Sequence, residues 1–320
     1  MNTIYFFCPD DNEPTGGIKT LYRHVDLLNA SGFHAFILHK QKKFRCTWFE
    51  NQTPVVYQRH FKPEPSDFVV IPEVYGSLLT PTMRGPKKII LSQNCYYTFR
   101  GYGMDASKTT TPYRDPEVVA ALVVSEDSLR YLTYAFPELK VVRIHISVDG
   151  DLFRFRPLAE KKRQLAFLPR KHPHDVEQVI SILKFRGQLN GFSLVPIENK
   201  SEREVATILA ESLLFLSFGY PEGCPAPPLE AMLSGCLVVG YHGMGGREYF
   251  SPELMWPIEI NDIIGFAKTV EDILAAWRQS PARFESRTAA ARDFVLREYS
   301  KEREKQDVVD FWNAMLTPPR

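Results

Sequence analysis

Short apolar runs alternate with segments of helical period along most of this chain, and that alternation leaves few folds open. Thr3 to Cys8 reads as a buried strand. After the turn Pro14-Thr15-Gly16-Gly17, the residues Ile18, Leu21, Tyr22 and Val25 recur at i, i+3, i+4 and i+7, one apolar face of a helix. Further strands are expected at Phe33 to His39, Phe68 to Ile71, Lys88 to Ser92, Val119 to Val124 and Lys140 to His145, with a helix opening after Ser125. Strands joined through helices pair in parallel and are covered on both faces. The first half is therefore expected to be an α/β, Rossmann-like domain.

From Ser147 to Leu158 the pattern stops, and it restarts with a strand at Gln164 to Leu168. A helix from Asp175 to Leu183, a strand at Phe192 to Val195 and a helix opened by Ser201-Glu202-Arg203-Glu204 follow, the last a capping box. Then come strands at Leu213 to Ser217 and Cys236 to Gly240 with a loop and helix between them. A chain of 320 residues suits two domains of this kind. Their expected bounds are 1–150 and 151–300, and a final helix over 301–320, carrying Val308, Phe311 and Trp312, is expected to cross back to the N-terminal domain.

Composition excludes several classes. A hydrophobic share of 44% and a charged share of 24% are those of a globular protein, and a net charge of +1 gives no overall attraction to nucleic acid. Five cysteines without C-x-x-C spacing argue against a disulfide framework or a zinc ribbon. Neither a signal peptide nor a membrane span is legible, which points to a cytoplasmic protein.

In open parallel sheets, ligands bind beyond the carboxyl ends of the strands, so two such domains are expected to face each other across a cleft lined by these loops. Three loops qualify: Gly16-Gly17, Pro169-Arg170-Lys171-His172, and Pro221 to Gly235, "PEGCPAPPLEAMLSG". A glycine pair at a helix start lets backbone N–H groups approach an anion. Arg170 and Lys171 offer cations for phosphate. The third loop leads into a helix expected from about Pro228, with Glu222 before it and Glu230 in its first turn. Glu222 suits a reacting sugar, and Glu230 suits the vicinal hydroxyls of a ribose.

The run "SFGYPEGCPAPPLEAMLSGCLVVGYHGMGGREYF" resembles the donor-binding segment of retaining GT-B glycosyltransferases, family 4 in particular, with the E-x7-E signature at Glu222 and Glu230 and a G-G-x-E turn at Gly245 to Glu248. "GGIK" resembles the family's glycine loop and "ISVDGDLFRF" its interdomain segment. The resemblance implies a nucleotide-sugar donor, retention at the anomeric carbon, no metal and no separate cofactor. It implies catalytic roles for Glu222, Arg170 and Lys171, with Arg170 ahead of Lys171 because the family's later lysine position is Asp175 here. The donor would be held by Gly16, Gly17, Pro196, Ile197, Gly223, Cys224, Pro225, Ala226 and Glu230. In place of the family's histidine in the first domain stands "SQNCYYTF", so Gln93, Asn94 and Tyr96 are the acceptor-side candidates. The reading is transfer of a hexose, glucose from UDP-glucose by family frequency, to a glycan or lipid-linked acceptor in exopolysaccharide or envelope assembly. A glycan phosphorylase, a nucleotide-sugar epimerase and a catalytically silent nucleotide-sugar-binding subunit stay open as alternatives.

Other patterns carry less. Asp149-Gly150-Asp151 spells a metal-binding D-x-D but falls in a linker and reads as a turn. Gly101 to Ala106 imitates a dinucleotide fingerprint without the following helix or acidic residue. The eight histidines lack metal spacing. Residues 39–49 interleave Lys40, Lys42, Lys43 and Arg45 with Phe44, Trp48 and Phe49. That mixture suits either peripheral contact with an anionic membrane surface or a solvated loop with its aromatics turned inward.

Overall fold

The structure, a computed structural model, describes residues 2–104, 107 and 110–317. Asp105 and Ala106 of the fingerprint-like stretch lie outside the described residues. The chain forms two compact units, one from residues 1–144 with 304–320 and one from residues 145–303.

The N-terminal unit runs β1 (Thr3–Phe7), α1 (Gly16–Ala30), β2 (His34–His39), β3 (Val55–Tyr57), β4 (Phe68–Pro72), α2 (Gly76–Leu79), β5 (Lys87–Ser92), β6 (Val118–Val123), α3 (Glu126–Ala135) and β7 (Val141–Arg143). Its seven strands are all parallel, in the order β3-β2-β1-β4-β5-β6-β7. β4 is buried at every residue, because both faces of a parallel sheet are covered. α1 starts where Thr15 accepts a hydrogen bond from the Ile18 N–H, and it lays Ile18, Leu21, Tyr22 and Val25 on the sheet, as their spacing predicts.

The second unit runs β8 (Lys162–Phe167), α4 (Pro173–Phe185), β9 (Ser193–Pro196), α5 (Glu202–Glu211), β10 (Ser212–Phe218), α6 (Ala226–Leu233), β11 (Leu237–Tyr241), β12 (Trp256–Pro257), α7 (Ile263–Gln279) and α8 (Glu285–Glu298). Its five strands, again all parallel, lie in the order β12-β11-β10-β8-β9. The expected capping box is present: Ser201 Oγ accepts from the Glu204 N–H, and Glu204 accepts from the Ser201 N–H. The last helix, α9 (Lys301–Leu316), seats Val308, Phe311 and Trp312 in the core of the N-terminal unit, where Arg23 donates to the buried Glu304 carboxylate at 2.7 Å.

Two features differ from expectation. The stretch beginning at Ser147 is no free linker, since Val148 and Phe153 pack into the second unit's core and the Val148 N–H donates to the Tyr299 carbonyl. β3 and β12 were not foreseen, being three and two residues long, too short to show a period. Residues 39–49 follow the second of the two readings the sequence left open: Phe44, Trp48 and Phe49 pack against the core, and of the cluster only Lys40, Lys42 and Lys43 are exposed. Among the described residues no helix is long and apolar enough to cross a membrane.

Candidate active site

In the second unit the chain leaves β8 toward β9 on one side and β10 toward β11 on the other, so the crevice beyond these two neighbouring strands is a topological switch point. The loop after β8 carries Arg170 and Lys171; the loop after β10 carries Glu222. The two loops meet there: Lys171 Nζ donates to Glu222 Oε2 at 2.9 Å, with both side chains about three-quarters buried. Lys171 faces the glutamate, while Arg170 points into solvent and makes no ion pair among the described residues.

Backbone contacts fix the Glu222 loop. The Glu222 N–H donates to the Gly243 carbonyl at 3.1 Å, and the Gly245 N–H donates back to the Glu222 carbonyl at 3.2 Å. Between them Met244 adopts φ 62°, rare for a residue with a side chain, and its N–H is satisfied by His242 Nδ1 at 2.9 Å. Gly245 has to be glycine, because a Cβ there would overlap the Gly223 carbonyl. At the end of the G-G-x-E turn, Glu248 accepts a hydrogen bond from the Tyr299 hydroxyl.

α6 begins at Ala226, two residues earlier than expected, so Glu230 is its fifth residue, just beyond the first turn. Pro225 is the N-cap, and Pro227 and Pro228 occupy the second and third positions. Three of the four N–H groups a helix start ordinarily leaves free are therefore absent, and only that of Ala226 remains. The helix dipole still favours an anion, but few backbone amides are left at this end to meet one. Both ends of α6 are held. Tyr249 donates its buried hydroxyl to the Pro225 carbonyl. Lys161, with its charge buried, donates to the carbonyls of Leu209, Ala210 and Ser234 at 3.1, 3.0 and 2.9 Å, joining the C-terminal ends of α5 and α6. Burial lowers the Lys161 pKa from its ordinary value.

The other expected donor residues fall unevenly. Gly223 and Pro225 are buried in the loop, and Cys224 is a half-buried thiol packed against the core. Pro196 ends β9, but the Ile197 side chain lies in the core, its N–H donating to the Phe167 carbonyl, so Ile197 offers a ligand only its carbonyl. Asp175 is buried and accepts from the Tyr241 hydroxyl at 2.8 Å, a structural role. His172, passed over in the sequence, leans on the rings of Tyr220 and Tyr241, and its buried Nε2 has no partner among the described residues.

The N-terminal unit has its own switch point, between β1 and β4. Gly16 opens α1, and the Gln93 side chain donates to the Gly17 carbonyl at 3.2 Å. Beside them the Asn94 N–H donates to the Glu73 carboxylate at 2.9 Å. Burial pushes Glu73 up to about 7 against the pull of its backbone hydrogen bonds. Nothing in the sequence singled out Glu73 beyond its place at a strand end. Asn94 caps the turn that follows and Tyr96 donates to Asp127 at 2.6 Å, so all three acceptor-side candidates have protein partners.

This architecture has known counterparts. A sucrose-phosphate synthase from Thermosynechococcus elongatus superposes with a TM-score of 0.70 over 98% of this chain and 99% of that one, at 11% identity. HepE of Anabaena, solved with UDP and glucose, superposes with a TM-score of 0.69 over 98% and 100%, also at 11% identity. The fold is that of the GT-B glycosyltransferases. At the level of sequence this GT-B chain is 27% identical over 251 residues to an alpha-1,6-glucosyltransferase from Actinobacillus pleuropneumoniae serotype 7, covering 74% of this chain and 72% of that protein. No family model matches it.

Proposed function

We propose that this chain is a glycosyltransferase resembling family 4, moving glucose from UDP-glucose to a glycan or lipid-linked acceptor with retention at the anomeric carbon. The observation that carries the reading is the meeting of Lys171 and Glu222 at the β8/β10 switch point, with Glu230 one turn into the following helix. The relative named as an alpha-1,6-glucosyltransferase and the neighbour solved with UDP and glucose support the choice of glucose.

In this mechanism the bond from the anomeric carbon to the β-phosphate oxygen breaks and a bond from the acceptor oxygen to that carbon forms on the same face. The acceptor proton passes to the departing phosphate. Lys171 and Arg170 stabilise the charge that grows on the phosphate, worth roughly 10²–10³ in rate for one well-placed donor. With three prolines at the start of α6, these cations carry more of that task than helix amides do. Glu222 holds sugar hydroxyls and steadies positive charge at the anomeric carbon, while its ion pair keeps Lys171 in place before the donor arrives. Glu230 accepts from the ribose hydroxyls. The metal-independent reading rests on the family resemblance. Peripheral contact with an anionic membrane surface would run through Lys40, Lys42 and Lys43 alone, since the neighbouring aromatics are turned inward.

The reading is tested by incubating the protein with UDP-glucose and following UDP release and the anomeric configuration of the product by NMR. Release of UDP that Glu222→Ala abolishes, with an α-configured product, is expected. Tight UDP-glucose binding with no turnover under any acceptor would favour the silent-binder alternative.

A further inference from the structure

A cavity of about 720 Å³ lies in the N-terminal unit between the β4–β5 and β5–β6 connections. None of the donor or acceptor candidates lines it. Its volume is in the range of small-molecule sites. Three arginines stand in its wall, Arg84, Arg100 and Arg114. Arg84 is neutralised, meeting Asp115 at 2.9 Å and Glu117 at 3.2 Å. Arg100 and Arg114 are exposed and make no ion pair among the described residues, which leaves two cations to face an incoming anion.

The rest of the wall is rich in hydroxyls. Thr80 is 1% exposed, and its hydroxyl has no hydrogen-bond partner among the described residues. A buried hydroxyl in that state gains from a ligand that can complete it. Ser77, Thr110 and Thr111 add further polar groups, and Tyr102, tied to the Thr110 carbonyl at 2.9 Å, presents a fixed ring. A concave wall with two guanidinium groups that meet no carboxylate among the described residues, one of them lying over the Tyr97 ring at 5.5 Å, together with several hydroxyls and one aromatic face, suits a compact, polyhydroxylated anion. It does not suit a flat lipid surface or the long phosphate track of a nucleic acid.

We propose that this pocket binds an acidic saccharide, with a carboxylate or phosphate on Arg100 and Arg114 and ring hydroxyls against the threonine-lined wall. The assignment rests on the pocket alone and stands or falls independently of the donor site.

Calorimetric titration of the full chain with trigalacturonate, glucose 6-phosphate and neutral maltotriose tests it. At least one anionic ligand should bind, and the Arg100→Ala/Arg114→Ala double variant should bind it about tenfold or more weakly, as loss of charged hydrogen bonds predicts. Both positions are exposed, and an unchanged melting curve would establish that the variant is folded. Preference for trigalacturonate would identify a glycan segment; preference for glucose 6-phosphate would identify a sugar phosphate. Failure of both anions to bind, equal binding by the double variant, or equal affinity for maltotriose would overturn the proposal.

Discussion

Lys171 and Glu222, 51 residues apart in sequence, form a 2.9 Å ion pair across the two strands where the second sheet reverses its order of connection. In the proposed mechanism one strand end supplies a cation for a phosphate and the next supplies a carboxylate for a sugar. Partly buried and singly bonded, such a pair contributes about 1 kcal/mol to stability.

Replacing Lys171 by Met should lower kcat/KM for UDP-glucose by roughly 10²-fold or more, with a smaller loss for Arg170→Ala, which has no contact with Glu222. Steady-state assays of UDP release check this ranking. Equal losses at the two positions would mean that the ion pair does not mark the reacting phosphate.

Glu230→Ala should weaken binding of UDP by about 1.5–3 kcal/mol, since hydrogen bonds to a charged group are lost. Calorimetry with UDP, which lacks the sugar, separates this from Glu222→Ala, which should spare UDP and weaken only UDP-glucose.

Glu73 gives the fold a pH dependence. Its folded pKa of about 7 lies above the ordinary carboxyl value, so between those values the folded state binds the extra proton. Stability from this group is therefore complete below the unfolded pKa and falls as pH rises through about 7, by about 3 kcal/mol at most. Urea unfolding at pH 5 and pH 8 should show that difference shrinking in Glu73→Gln, which can still accept the Asn94 N–H. A wild-type and variant pair with the same pH profile would contradict it.

Gly245→Ala should displace the Glu222 loop, because its Cβ overlaps the Gly223 carbonyl, and should cost about 1–3 kcal/mol of stability together with donor affinity. Gly16→Ala, with nothing within 4 Å of the added carbon, should leave stability unchanged or raise it slightly. Thermal unfolding of the two variants side by side measures the contrast.

The sequence made the sheets legible because strands buried on both faces carry apolar runs, as in β4 and in Leu213 to Leu216 of β10, and because α1 and α5 announce themselves by period and cap. It placed the start of α6 two residues late, since prolines are tolerated through the whole first turn and do not mark its first position alone. The choice between Arg170 and Lys171 was not legible, because adjacent side chains leave an irregular loop in different directions and only the fold decides which one faces β10. Lys161 was equally hidden. Its charge is satisfied by carbonyls 48 to 73 residues away, and no local pattern encodes such a contact.

A crystal structure with UDP-glucose bound tests the central claim most directly. The distances that matter run from the Glu222 carboxylate to the sugar hydroxyls and from the Glu230 carboxylate to the ribose hydroxyls. Both are predicted to fall within hydrogen-bond range, with Lys171 turned toward the β-phosphate. A donor bound away from both glutamates, with the Lys171–Glu222 pair undisturbed, would contradict the account.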